Sequence, residues 1–316
     1  MDAATGTHIW NFTTSGIVAS SPAVADGRVY VGSEDYNIYC LDAASGALLW
    51  NYTTGGDVVN CPAVSGGLVY VGSKDNKVYC LNALTGAYIW NFTTGDDVIS
   101  SPALADGKLY IGSYDNKLYC LDAVTGLHLW NFTAGAYVQS VPAIADGKVF
   151  VGSNDTEVYA LNALTGALVW NFTTGAEVIS SPAVADGKVF VGSNDTNVYC
   201  LDAVTGAKVW NFTTGGHVQS APALAEGKVY AGSWNHKVYC LDAATGAFIW
   251  SYTGGAHYVS SPAVANGVVY IGSIDRKVYA FSAVPPVPEG LTTGVMLLLS
   301  TVAVTIGARY FRKRSK

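Results

Sequence analysis

Runs of about six residues rich in Val, Tyr, Phe, Leu and Ile alternate with clusters of Gly, Asp, Asn, Ser and Thr along most of the chain, the pattern of short strands joined by tight turns. One copy, residues 181–214, shows the unit as SPAVADG, KVFVGS, NDT, NVYCLDA, VTG and AKVWNFTTG. The first turn is Asp-Gly at residues 26–27, 106–107, 146–147 and 186–187, where both central residues tolerate positive φ, so strands a and b form a hairpin. A second turn, as in Ser33 to Asp35, and a third of Thr-Gly or Ser-Gly, as in Thr85-Gly86, complete a four-stranded antiparallel meander a-b-c-d.

The unit recurs every forty residues without insertion or deletion, carrying Trp10, Trp50, Trp90, Trp130, Trp170, Trp210 and Trp250 at one position of strand d. A period near forty built from short apolar strands indicates the blades of a β-propeller. All seven copies hold the Trp, so these residues read as wedges between blades. Strands a, b and c recur seven times from Val18 to Ser282, and strand d seven times from residues 8–13 to Thr253. The first d has no a, b or c before it and the last a, b and c have no d after them. The expected fold is therefore all-β, a seven-bladed propeller of four-stranded antiparallel blades whose N-terminal strand closes the last blade, plus one C-terminal transmembrane helix.

That helix comes from the far end of the pattern. The repeats fill residues 1–283, a Pro-rich linker covers 284–290, an uncharged stretch runs from 291 to 308, and a basic tail occupies 309–316. Eighteen helical residues span about 27 Å, close to the roughly 30 Å of a hydrocarbon core, and the basic tail belongs on the cytoplasmic side. The propeller is then expected on the outer face of the cell membrane. Pro-Glu-Gly, the apolar span and the Arg/Lys tail together resemble the C-terminal anchors of archaeal surface proteins. Met1 stands at a repeat leucine, so the chain starts in mid-blade, and an upstream signal peptide and further blades are expected to be missing.

Half the residues are hydrophobic and 13% are charged, too apolar and too evenly patterned for disorder. Of 17 basic and 23 acidic residues, five basic and one acidic lie beyond residue 283, which leaves the repeats at about −10 and unsuited to nucleic acid. Cys40, Cys80, Cys120, Cys200 and Cys240 share one strand-c position with Ala160 and Ala280, the mark of a small apolar slot, so free thiols are expected, with Cys61 apart on strand a. Asn-x-Thr sequons stand at Asn11, Asn51, Asn91, Asn131, Asn171 and Asn211, and again at Asn154 and Asn194.

Comparing the seven copies separates positions the blade requires from positions free to differ. The free ones fall in the b–c turns (Glu34, Tyr36, Lys74, Asn76, Tyr114, Asn116, Thr156, Thr196, Trp234, His236, Arg276) and the d–a loops (Asp57, Asp96, Asp97, Tyr137, Glu177, His217, His257). An up-and-down meander places both loop sets on one face, where aromatic residues and both charge signs converge. Candidate binding residues are Trp234, His236, Tyr114, Tyr36, Tyr137, His217, His257, Asp57, Asp97, Glu177 and Arg276. His217, His236 and His257 could approach one another on adjacent loops, and with Asp57 or Asp97 hold a metal in principle, but no helical metal-ligand spacing occurs and no metal site is assigned.

The run VYVGSxDxxVYCLDAxTGxxxW, as in Val69 to Trp90, resembles the pyrroloquinoline-quinone-type β-propeller repeat, found in quinoprotein alcohol dehydrogenases and in the propeller lipoprotein that helps assemble bacterial outer-membrane barrels. The resemblance covers residues 1 to about 282 and implies the fold; a repeat names a blade, not a catalyst. Dehydrogenases of that kind have eight blades, a quinone over Ca²⁺, a catalytic Asp and a disulfide between adjacent cysteines. This chain has no Cys-Cys pair, and Asp35, Asp75, Asp115, Asp155, Asp195 and Asp275 repeat at one turn position, which suits turn closure better than a unique base. No glycine-rich phosphate loop or nucleophile elbow is present. The expected function is a non-catalytic cell-surface scaffold without a cofactor, binding a protein or envelope polymer through the b–c and d–a loop face. The alternatives are a quinone- and Ca²⁺-dependent dehydrogenase or its relic, and a purely structural envelope component.

Overall fold

The computed structural model describes residues 7–282 and consists of strands and turns throughout. Blade 1 is typical: strand a (Ala23–Ala25), strand b (Arg28–Gly32), strand c (Asn37–Asp42) and strand d (Leu48–Thr53) pair in sequence order, all antiparallel. Six such four-stranded sheets follow one another, and a seventh sheet of three strands, Ala263–Ala265, Val268–Ser273 and Lys277–Ser282, completes the array. Strand a is only three residues long in every blade. The Ser-Pro that precedes it keeps residues 18–22 out of the ladder, because proline has no N–H to give.

The a–b turns are the hairpins their sequence specifies. Asp26 and Gly27 have φ of 49° and 71°, and the same pair of positive angles recurs at Asp106-Gly107, Asp146-Gly147, Asp186-Gly187 and Glu226-Gly227. Along strands b and c almost every residue is buried, whereas strand d exposes both sides except at its Trp. The core therefore lies between consecutive blades: Tyr30, Ile38 and Cys40 of blade 1 pack with Trp50, Val69, Val71 and Leu81 at the boundary with blade 2.

The boundaries from blade 1 to blade 6 are pinned by the repeat Trp. The indole Nε1–H of Trp50 donates to Ala83 O of blade 2 at 3.1 Å, and Trp90, Trp130, Trp170 and Trp210 make the same bond one blade further on at 3.2–3.3 Å. The ring lies against the Gly of the next c–d turn. At Gly86, with φ of 71°, a Cβ would stand 2.6 Å from the Trp50 ring, so both the backbone angle and the contact demand glycine.

The N-terminal segment departs from expectation. Residues 7–14 form no strand, and the last sheet keeps three strands, with no ladder on the outer side of its strand c among the described residues. The segment instead docks by its side chains on blade 1: Trp10 Nε1 donates to Ala43 O at 3.0 Å and Phe12 meets Tyr39 at 5.3 Å. Its inter-blade contacts are those of a strand d, while the strand it was expected to complete remains an edge, with Val278 76% exposed. The linker, the apolar span and the basic tail lie outside the described residues. Within those residues no helix is long and apolar enough to cross a membrane.

Removal of one wedge tests this account. Trp130→Ala is expected to cost about 3–5 kcal/mol in denaturant unfolding, the range for deleting a buried aromatic, while Val169→Ala, on the exposed side of a strand d, changes stability by less than about 0.5 kcal/mol.

Candidate functional site

The b–c turns and d–a loops share a frame that repeats in every blade. The turn N–H at position 34 of the unit donates to the d–a carbonyl at position 17: Glu34 to Ile17, Lys74 to Asp57, Tyr114 to Asp97, Asn154 to Tyr137, Asn194 to Glu177, Trp234 to His217 and Ile274 to His257, all at 2.9–3.2 Å. The main chain is constant and the side chains it displays are not. A carboxylate then locks the turn to the preceding blade. Asp195 Oδ2 accepts the Gly175 N–H at 2.7 Å and the Tyr199 hydroxyl at 2.6 Å, while Oδ1 accepts the Asn197 N–H at 2.9 Å. Asp35, Asp75, Asp115 and Asp155 repeat this set, and Asp275 keeps its Tyr279 and Lys277 bonds. The repeated Asp is thus a turn-closing latch, as its recurrence in the sequence implied.

Burial raises the Asp195 pKa, yet the donors from Tyr199, Gly175 and Asn197 outweigh it and hold the carboxyl below its ordinary value. For the tyrosine at such a latch both effects act upward: burial and the Asp35 carboxylate push Tyr39 to about 12.

On this frame the predicted residues gather in separate groups. Asp57 pairs with Lys74 at 2.9 Å and holds that ammonium above its ordinary pKa. Asp97 is raised by burial and by the neighbouring Asp96. The Tyr114 and Tyr137 rings stack at 4.5 Å, and the Tyr114 hydroxyl donates to Gln139 Oε1 at 3.3 Å. Glu177 Oε2 accepts Asn194 Nδ2 at 2.8 Å. Tyr36 and Arg276, both at positive φ in their turns, join none of these groups.

The densest group spans blades 5 to 7. Trp234 stacks on His257 at 5.1 Å and 22°, His217 meets Trp234 edge-on at 5.4 Å, and His236 meets His257 edge-on at 4.7 Å. His217 Nδ1 lies 2.5 Å from Asn194 O, and His257 Nδ1 bonds Trp234 O. A carbonyl only accepts, so each Nδ1 carries its proton and each Nε2 is left to other partners. Trp234 Nε1 is buried without an acceptor, which no other turn residue of the set reproduces with an N–H. His236 and His257 are thus in direct contact, and His217 reaches them through Trp234. No cluster of three metal-ligating side chains occurs among the described residues.

Two features of this face went unrecognised in the sequence. The turn that carries Trp234 has Asn235 in place of the repeated Asp. Its Nδ2 lies 2.6 Å from the Tyr239 hydroxyl and also bonds Thr214 O, so it donates where the other copies accept, and Gly215 turns to φ of 89°. Gln139 and Gln219, present in only two copies, donate to Asn154 and Asn194 at 2.7 and 3.1 Å. Both were visible as departures from the repeat.

The latch yields a pH test. Asp195→Asn is expected to lose about 1–2 kcal/mol at neutral pH through its charge-assisted hydrogen bonds. Because the folded carboxyl titrates below the unfolded one, near 3.9, that stabilisation is present above the unfolded value and fades as pH falls through the folded value. Unfolding curves of the two proteins at pH 7 and below pH 3 should differ in the first case and converge in the second.

The model of the family described as outer membrane protein assembly factor BamB matches the chain at residues 1–100, 76–181, 156–236 and 195–284. No curated protein matches it. Among solved structures, BamB from Moraxella catarrhalis superposes with a TM-score of 0.77 at 19% identity, over 86% of this chain and 87% of that one. The computationally designed Ika8 protein superposes with a TM-score of 0.60 at 18% identity, over 85% and 97%. At these identities the structural likeness establishes the fold alone.

Proposed function

The chain belongs to the family of outer membrane protein assembly factor BamB, and from that premise we propose that it is a non-catalytic scaffold that binds a partner through the b–c and d–a loop face. The observation that carries this reading is the contrast between frame and display. One hydrogen bond at 2.9–3.2 Å fixes positions 17 and 34 in all seven blades, and the side chains there range from Asp57 and Lys74 to His217 and Trp234. A surface serving stability alone would have no use for a buried, unpaired indole N–H or for a turn whose latch is rewired. The assembly role in the description of the family makes a protein the favoured partner, ahead of an envelope polymer.

The quinoprotein alternative fits the carboxylates poorly. A Ca²⁺ beneath a quinone needs free carboxylate oxygens, and the repeated Asp residues spend theirs on Tyr hydroxyls and main-chain N–H groups. In the location favoured by the sequence, the propeller stands on the outer face of a membrane, held by residues 291–308.

Two measurements test these proposals. A photo-crosslinking residue at position 74, 114 or 234 should capture one partner in cells, while the same residue at the a–b turn position 146 should not; equal capture from both faces would overturn the assignment. Titration with pyrroloquinoline quinone and Ca²⁺ should give no saturable binding, and micromolar or tighter binding would restore the dehydrogenase reading.

A further inference from the structure

Seven of the eight Asn-x-Thr sequons fall into two structural classes, Asn11 lying in the N-terminal segment outside any strand. Asn51, Asn91, Asn131, Asn171 and Asn211 lie in strand d, the last strand of each sheet, and are exposed together with the Thr two residues on. Residues i and i+2 of a strand project to the same side, so each Asn stands beside its Thr. Asn154 and Asn194 are half-buried in b–c turns, where their carboxamides are engaged by Gln139, Gln219 and Glu177. Their partners Thr156 and Thr196 sit at φ of 76° and 78°.

A cross-strand role accounts for the rim triplet in only three blades. Thr53 donates to Asn37 Oδ1 at 2.6 Å beside Asn51, Thr173 to Glu157 at 2.6 Å beside Asn171, and Thr213 to Asn197 at 2.7 Å beside Asn211. In blades 2 and 3 the facing residue is Lys77 or Lys117, which has no acceptor to offer. Among the described residues, Asn91 and Thr93 there have no side-chain partner, and Asn131 touches only His128 of its own strand, at 3.2 Å. The triplet persists where the sheet has no use for it. Blade 6, which also faces a Lys, has Ser251 instead of Asn.

We propose that the rim asparagines, Asn91 and Asn131 foremost, are acceptors of N-linked glycans, and that Asn154 and Asn194 are not. The inference rests on the outward-facing location proposed above. The donor is a lipid-linked phospho-sugar: the Asn Nδ2 forms a bond to the anomeric carbon, the bond from that carbon to the phosphate oxygen breaks, the phosphate leaves with its lipid, and the Nδ2 proton passes to base. Strand d suits the reaction because its outer edge has no ladder partner and it can leave the sheet at least cost. Sugars there would also cover unpaired edges that otherwise invite pairing with other chains.

Peptide mapping by mass spectrometry of the protein from its own cells tests this, together with external protease treatment of intact cells. Expected are sugar increments on Asn91 and Asn131, none on Asn154 or Asn194, loss of the Asn91 increment alone in Thr93→Ala, and its retention in Thr93→Ser. Bare rim asparagines on a protein that external protease cleaves would overturn the glycan assignment and leave the location standing. Increments on Asn154 or Asn194 would overturn the two-class distinction. A protein that external protease cannot reach, with bare asparagines, would overturn both readings.

Discussion

The structure depends on an indole laid against a glycine. From Trp50 to Trp210, each strand-d Trp sits over the left-handed Gly of the next c–d turn and gives its N–H to a carbonyl three residues before that Gly, while Trp250 packs on Phe281 of the last sheet. In blades 1, 2 and 3 the same carbonyl also accepts a Tyr hydroxyl, from Tyr30, Tyr70 and Tyr110, at 3.0–3.1 Å. One peptide group thus gathers two aromatic side chains from the preceding blade. Spacing, rotation and order of the blades follow from repeating that contact, since neighbouring sheets share no ladder.

Because the wedge and the Asp latch hold the blades, the loop face is released from structural duty. It divides into an acidic stretch around Glu34, Asp57, Asp96 and Asp97 and a histidine and tryptophan stretch around His217, Trp234, His236 and His257. The second stretch coincides with the one blade where Asn235 replaces the latch carboxylate. A carboxylate there would place a negative charge beside the imidazoles; the carboxamide donates to the main chain instead. The two departures fall in the same turn, which ties the exceptional side chains to an exceptional support.

How much of this could be read in the sequence depends on repetition. The blades, the type I′ hairpins, the Trp wedges and the turn-closing Asp were legible because each recurs at a forty-residue interval, and seven copies average out local ambiguity. That the loops of His217, His236 and His257 share one face was legible from the meander. The Trp234 stack on His257 was not, since it joins residues 23 apart on successive blades, an interval that belongs to no strand or turn. The N-terminal segment was misread for a related reason: its composition specifies side-chain contacts with blade 1, which it makes, and says nothing about whether its backbone finds a ladder. Strand a was expected to be longer because its apolar run continues past the Pro that ends its hydrogen bonding.

The cysteines carry a consequence of their own. Cys40, Cys80, Cys120, Cys200 and Cys240 are buried at the boundary between one blade and the next, and burial pushes their thiols up, to about 12 for Cys80, Cys120 and Cys200 and about 11 for Cys240. At neutral pH such thiols are inert toward alkylating reagents while the blades stay packed. Each becomes reactive when its own boundary opens, so the order of their labelling records which parts of the array breathe first. Blades 4 and 7, with Ala160 and Ala280 in that slot, are the two silent channels of this built-in recorder.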